Sequence, residues 1–267
     1  MFPTDKNAPI NELPFVAPCN KLKLNAPLGW LLKGWADIKK APKQSLTYGS
    51  FIVVLSYAVS LMVWFYGGLG LLASVVSGFL FLGPVLAIGL YSISCQIQAG
   101  MTPQLGYCLR EGKRHLGNEL IFAVILSVIF LVWARAASMT HILYPEVANA
   151  VWTQFIPFLA VGTLEGMIFS AIIFCFSAFS LPMIMDRKVD VVTAVITSIN
   201  AVLRNKSVLL LWACIIASIV AIGFATAFIG FVVLMPLVGH ATWHAYQETI
   251  NAEDWPKQGN IQDRNRA

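Results

Sequence analysis

The sequence predicts an all-α integral membrane protein: six transmembrane helices in three hairpins, each hairpin preceded by an amphipathic helix lying in the plane of the inner surface. Three observations predict it. Hydrophobic residues make up 58% of the chain and charged residues only 12%, where an ordinary soluble domain is roughly 45–50% apolar and about 25% charged. The apolar residues are gathered into runs of about 18 residues or more, the length that crosses a bilayer core. The basic residues, finally, fall almost entirely on one side of the membrane those runs imply.

The first 25 residues, "MFPTDKNAPINELPFVAPCNKLKLN", are polar and dotted with proline. They contain no apolar core of a cleavable signal peptide, so the first span is expected to act as the insertion signal. Residues 1–25 read as a flexible cytoplasmic lead. "NAPLGWLLKGWADIKKAP" (25–42) follows, with Leu28, Leu31, Leu32, Trp35 and Ile38 on one helical face and Lys33, Asp37 and Lys40 elsewhere. Spans are expected near 45–66 and 70–97, joined by the tight "YGGLG" turn.

The second unit opens with "TPQLGYCLREGKRHLG" (102–117), where Thr102 is a natural N-cap and Pro103 suits the first helical position. Its spans lie near 118–138 and 155–185, with the external loop at 139–154. The third opens with "DVVTAVITSINAVLRNK" (190–206), in which Val191, Val195, Ile199 and Val202 share a face and Asp190 is the cap. Its spans are placed near 207–228 and 230–249, with "GFATAFIG" leaving almost no loop between them. Residues 251–267 read as a flexible cytoplasmic tail.

Of the 18 Lys and Arg residues, only Arg135 falls outside the segments that join spans on the inner side. The positive-inside rule then places both termini in the cytoplasm and the protein in a bacterial inner membrane as a multi-pass chain. The same rule accounts for the net charge of +5, so the basic balance is not read as nucleic-acid binding. The lipid bilayer is the expected partner, with other inner-membrane proteins as further candidates. The five cysteines are odd in number and have no paired spacing, so neither a disulfide framework nor a zinc motif is read from them.

Each unit, in-plane helix then hairpin, spans a similar length: about 26–97, 102–185 and 190–250, together one membrane domain over 26–250. Each second span carries a proline, Pro84, Pro182 and Pro236, expected to interrupt its helix. The phrases around them, "FLGPVLAIG", "FSLPMIMDR" and "VLMPLVGHA", are alike. This suggests three diverged repeats, although any polytopic chain yields patterns of this kind.

Taken together, "GWADIKKAP", "GPVLAIGLY", "LPMIMDRKVD" and "PLVGHATWHAY" resemble an uncharacterised bacterial integral membrane family, the domain of unknown function 2189, some of whose members carry a cytochrome c oxidase label. The resemblance covers most of the chain beyond residue 25. It implies a six-span inner-membrane protein and supplies no activity. The oxidase label does not fit a catalytic subunit. Of the four histidines, His115 and His141 are expected on opposite sides of the bilayer, and His240 and His244 share one face of one helix. They cannot clamp a haem from both sides.

The remaining motifs are sparse. "HATWH" has Ala241 where a metalloprotease carries its Glu, and no G-x-S-x-G elbow occurs. No enzyme is expected. His240, His244 and Glu248 recur every four residues and so share a face. Two readings stay open: a transition-metal site completed by Asp186, which stands four residues after Pro182 as His240 stands four after Pro236, or a packed interfacial cluster with Trp243 and Tyr246 as belt aromatics. Glu165 lies in "FLAVGTLEGMIFSAIIF", where a carboxylate is costly. It either pairs with Arg135 or forms a proton or substrate site. Gly162, Gly166 and Ser170, four apart, suit close helix packing. The leading expectation is a non-enzymatic accessory or assembly factor for respiratory or metal handling. The alternative is a small-solute or proton-coupled transporter using the intramembrane carboxylate.

Overall fold

The computed structural model describes residues 14–66, 86–105, 116–143 and 152–257. Its regular elements are all helical: α1 (Ala26–Lys40), α2 (Pro42–Tyr66), α3 (described over 86–98), α4 (Leu116–Leu143), α5 (Trp152–Ser177), α6 (Ser180–Asp186), α7 (Val191–Arg204), α8 (Lys206–Ala225) and α9 (Phe231–Thr249). Among the described residues four stretches are long and apolar enough to cross a membrane: Pro42–Met62, Leu120–Thr140, Ile156–Asp186 and Lys206–Ala225. Pro84, His115 and residues 144–151 of the expected 139–154 loop lie outside the described residues; 139–143 and 152–154 are helical, closing α4 and opening α5.

The 230–249 segment, expected as a sixth span, forms α9 but is not among those four. Its second half carries His240, His244, Gln247 and Glu248, and these side chains engage protein. Pro236 does not interrupt it, as had been expected; the helix runs through from Phe231 to Thr249. The sixth helical residue, Pro236 forfeits only the bond to Val232 near the helix start, where α9 also packs closely on α2. A Cβ added at Gly49 of α2 would collide with the Val232 carbonyl. Pro182 sits within the short α6, and the helix breaks one turn before it, at 178–179, where its missing N–H leaves the Ala178 carbonyl without its helical donor.

Two of the three segments expected to lie in plane, 25–42 and 190–206, are described along their length and form helices, while 106–115 of the third lies outside the described residues. α7 begins as expected: the Asp190 side chain accepts from Thr193 N at 2.9 Å. It buries Val191, Ala194, Val195, Ala201 and Val202 against protein. α1 turns out differently from the simple wheel. The face packed on α9 is Trp30, Gly34, Asp37 and Ile38, while Leu28, Leu32 and Trp35 stay exposed. The helices cross where a Cβ on Gly34 would stand 2.8 Å from Ala241 N, so only glycine lets the backbones meet.

The flanks read as flexible are pinned where they are described. Ala17 is fully buried and its N–H donates to Thr197 Oγ1. Asn20 N donates to Thr249 O and Asn251 N to Pro18 O, so the lead and the start of the tail pair with one another. Trp255 is buried, and Lys188 N donates to Pro256 O.

Candidate functional site

Four helices bring a polar cluster together in an otherwise apolar interior. α1 supplies Asp37, α2 supplies Ser45, α3 supplies Ser94, and α9 supplies His240 and His244 one turn apart. Asp37 Oδ2 accepts from Ser94 Oγ at 2.8 Å and from His244 Nε2 at 2.8 Å. Ser94 Oγ lies 2.8 Å from His240 Nδ1, and Ser45 Oγ lies 3.0 Å from His240 Nε2. Ser45, Ser94 and His240 are 0% exposed and Asp37 3%.

Counting protons orders this chain. The Ser94 hydroxyl has one hydrogen and gives it to Asp37, so its oxygen accepts from His240 Nδ1–H. That fixes the tautomer of a neutral His240 and leaves Nε2 to accept from the Ser45 hydroxyl. The relay runs Ser45, His240, Ser94, Asp37, and His244 donates to the same carboxylate from the other side. Burial pushes the Asp37 carboxyl upward, but the hydrogen bonds from His244 and Ser94 outweigh it, and its pKa ends below the ordinary value.

The four residues weighed as metal ligands go to separate partners. His240 is held between Ser45 and Ser94, and His244 by Asp37. Glu248 Oε2 accepts from Trp30 Nε1 at 3.1 Å and lies 3.4 Å from Lys33 Nζ. Asp186 Oδ2 accepts from Tyr246 OH at 3.0 Å and Arg187 Nε at 2.9 Å. Among the described residues no group of three or more His, Cys, Asp or Glu side chains is placed to hold a metal ion. Asp186 instead borders a polar groove of about 310 Å³ shared with Asn20, Arg187, Asn251 and Glu253.

The intramembrane carboxylate also has a partner other than the expected one. Glu165 Oε2 accepts from Thr140 Oγ1 at 3.0 Å across the α4–α5 hairpin. Its Oε1 is buried without a partner among the described residues. Arg135 is exposed, and among the described residues no ion pair joins it to Glu165. Gly162 and Gly166 have nothing near the position of a Cβ, so the small-residue stripe is not packed against a described helix.

Sequence reasoning missed Asp37, Ser45 and Ser94. Asp37 carried a signal: it stands seven residues after Trp30, two helical turns on, and therefore shares the face of the buried tryptophan. The serines carried none, since a serine in an apolar helix more often bonds its own backbone.

No curated protein and no solved structure matches the chain. Residues 71–186 do match the family model described as predicted integral membrane protein (DUF2189), so that stretch of the chain is similar to this family of integral membrane proteins.

Proposed function

We propose that the protein is a non-enzymatic, multi-pass accessory of the bacterial inner membrane, with both termini in the cytoplasm and a rigid platform on its basic side built around Asp37. The observation that carries this reading is the closure of the cluster. A nucleophilic serine must present its oxygen to a substrate while a histidine takes its proton. Ser45 has the histidine but is 0% exposed, and the neighbouring groups are occupied with one another. Such a network locks helices in register. It ties α1 to the spans, a role suited to holding partner membrane proteins such as respiratory or metal-handling complexes. The pairing of helices into hairpins is kept here: each hairpin returns the chain to the side it came from and keeps the basic segments there.

A second reading, proton-coupled transport, is favoured by one observation, the unpartnered Oε1 of Glu165 inside a candidate span. Proteoliposomes carrying an imposed pH gradient separate the two. The accessory reading expects proton flux equal to that of empty liposomes, and a lower melting temperature for Asp37→Asn. Flux that disappears in Glu165→Gln would replace it with transport.

A further inference from the structure

The α8–α9 hairpin ends in a turn at 226–230, "TAFIG", which carries no charge. Tyr57 OH of α2 donates to Ala227 O at 2.5 Å, and the Tyr57 ring meets Phe228 edge-on at 5.5 Å. The turn is therefore level with Tyr57. Lys43, exposed at the start of α2 and close behind Lys39 and Lys40, marks where α2 leaves the basic surface. Fourteen residues separate Lys43 from Tyr57, about 21 Å of helix at ~1.5 Å per residue. A bilayer core is about 30 Å thick, and the apolar stretch of α2 continues past Tyr57 to Met62.

The feet of the hairpin agree with that depth. Fourteen residues back from Ala225 on α8 is Leu211, beside Trp212, whose ring packs edge-on against Trp30 of α1 at 5.5 Å. On α9 His240, nine residues after Phe231, bonds Ser45 near the start of α2, and the helix runs nine residues further to Thr249. The hairpin thus begins below the plane of Lys43 and stops short of the far side.

Irregular backbone is excluded from hydrocarbon because unpaired N–H and C=O groups are costly there. This turn leaves none of its N–H groups unpaired. Those of 226–229 and 231–234 donate to carbonyls of 222–224, 226 and 228–230, and Gly230 N donates to Thr226 Oγ1 at 3.0 Å. The one turn carbonyl without a backbone donor, Ala227 O, is the one Tyr57 serves. Ala227 and Phe228 adopt left-handed φ values of 49° and 69° to close these bonds, a conformation that costs a non-glycine residue about 1–2 kcal/mol. Ile229, 64% exposed at the tip, offers a fully apolar surface.

We propose that α8 and α9 form a re-entrant hairpin, entering from the basic side, turning at 226–230 within the hydrocarbon, and leaving by the same side. Its partner is the acyl-chain region of the bilayer, into which Ile229 projects. Length alone lets α8 cross; its register against α2 stops it. Both feet stay on one side, so the hairpin adds no net crossing.

The test uses the full chain with its native cysteines replaced by serine and one cysteine introduced, in sealed vesicles of both orientations treated with a membrane-impermeant maleimide. Lys43→Cys is expected to label in one orientation. Ile229→Cys is expected to label in neither, and to react only after denaturing solubilisation. Labelling of Ile229→Cys from the face opposite Lys43→Cys would overturn the proposal. Should the cysteine-free chain fail to accumulate, Ile229→Arg in the native chain decides. A buried tip predicts loss of yield and of melting temperature. Unchanged stability would place the tip among headgroups and overturn the proposal equally.

Discussion

The α1–α2–α3–α9 assembly and the more apolar α4–α5 hairpin solve different problems. In the first, backbones approach at Gly34 and Gly49, Trp30 and Trp243 are buried, and a five-residue polar relay sits at the crossing. In the second, Leu120, Val124, Val128 and Leu131 of α4 and Leu164, Met167 and Ile168 of α5 point outward, and Thr140–Glu165 is the polar contact between the two helices. One region is specified by what it touches inside the protein. The other is specified by the lipid it faces, where almost any apolar side chain serves, since lipid tails are as apolar as the helices themselves.

The comparison breaks first on large-to-small substitutions. Trp30→Ala is expected to cost about 3–5 kcal/mol, because it empties a fully buried site between α8 and α9 and removes the indole donor to Glu248. Leu164→Ala, 56% exposed on α5, should stay within about 0.5 kcal/mol. Thermal unfolding in detergent measures both, and similar losses would erase the distinction.

Gly34→Ala should cost about 1–3 kcal/mol, since its Cβ meets backbone rather than a movable side chain. Gly166→Ala, with nothing near the added atom, should be neutral or stabilising. A destabilised Gly166→Ala would show that a partner helix packs there.

Within the relay, Ser94→Ala removes the donor to Asp37 and the acceptor for His240 and should cost about 1–3 kcal/mol. Combined with Asp37→Asn the losses should be less than additive, the signature of one network. The acid side sharpens this. The Asp37 pKa is lowered by folding, so its stabilisation is present above about pH 4, its unfolded range, and is lost as pH falls through the folded value. The melting temperature of the wild type should therefore fall more steeply below about pH 4 than that of Asp37→Asn. Parallel curves would mean that the carboxylate is not linked to folding.

The smallest effect is expected at Glu165. Glutamine keeps an acceptor for Thr140, so Glu165→Gln should change stability by less than about 1 kcal/mol, and adding Arg135→Gln should contribute independently. Strong coupling between these two would restore the ion pair that their placement in the hairpin does not make.

What the sequence determined by itself was the environment. Long apolar runs, the gathering of Lys and Arg, the Asp190 cap and the helical segments before the spans follow from local composition and spacing, and the family match over 71–186 takes in "GPVLAIGLY" and the start of "LPMIMDRKVD" but neither "GWADIKKAP" nor "PLVGHATWHAY". The sequence also marked "GHATWHAYQE" as unusual. What it could not assign was the partner of each polar group. The four-residue spacing put His240, His244 and Glu248 on one face, but that face spans two turns. Over that distance α1 presents Asp37 to one turn and Trp30 and Lys33 to the next, while Ser94 and Ser45 arrive from helices about 150 and 195 residues away in the chain. A hydrogen bond needs atoms within about 3 Å, and only the packing of α1 on α9 at Gly34 and Ala241 and of α2 on α9 at Gly49 and Val232 decides which atoms come that close. The depth of the α8–α9 turn was hidden for the same reason: apolar length states how far a helix can reach, while its register against α2 states how far it does.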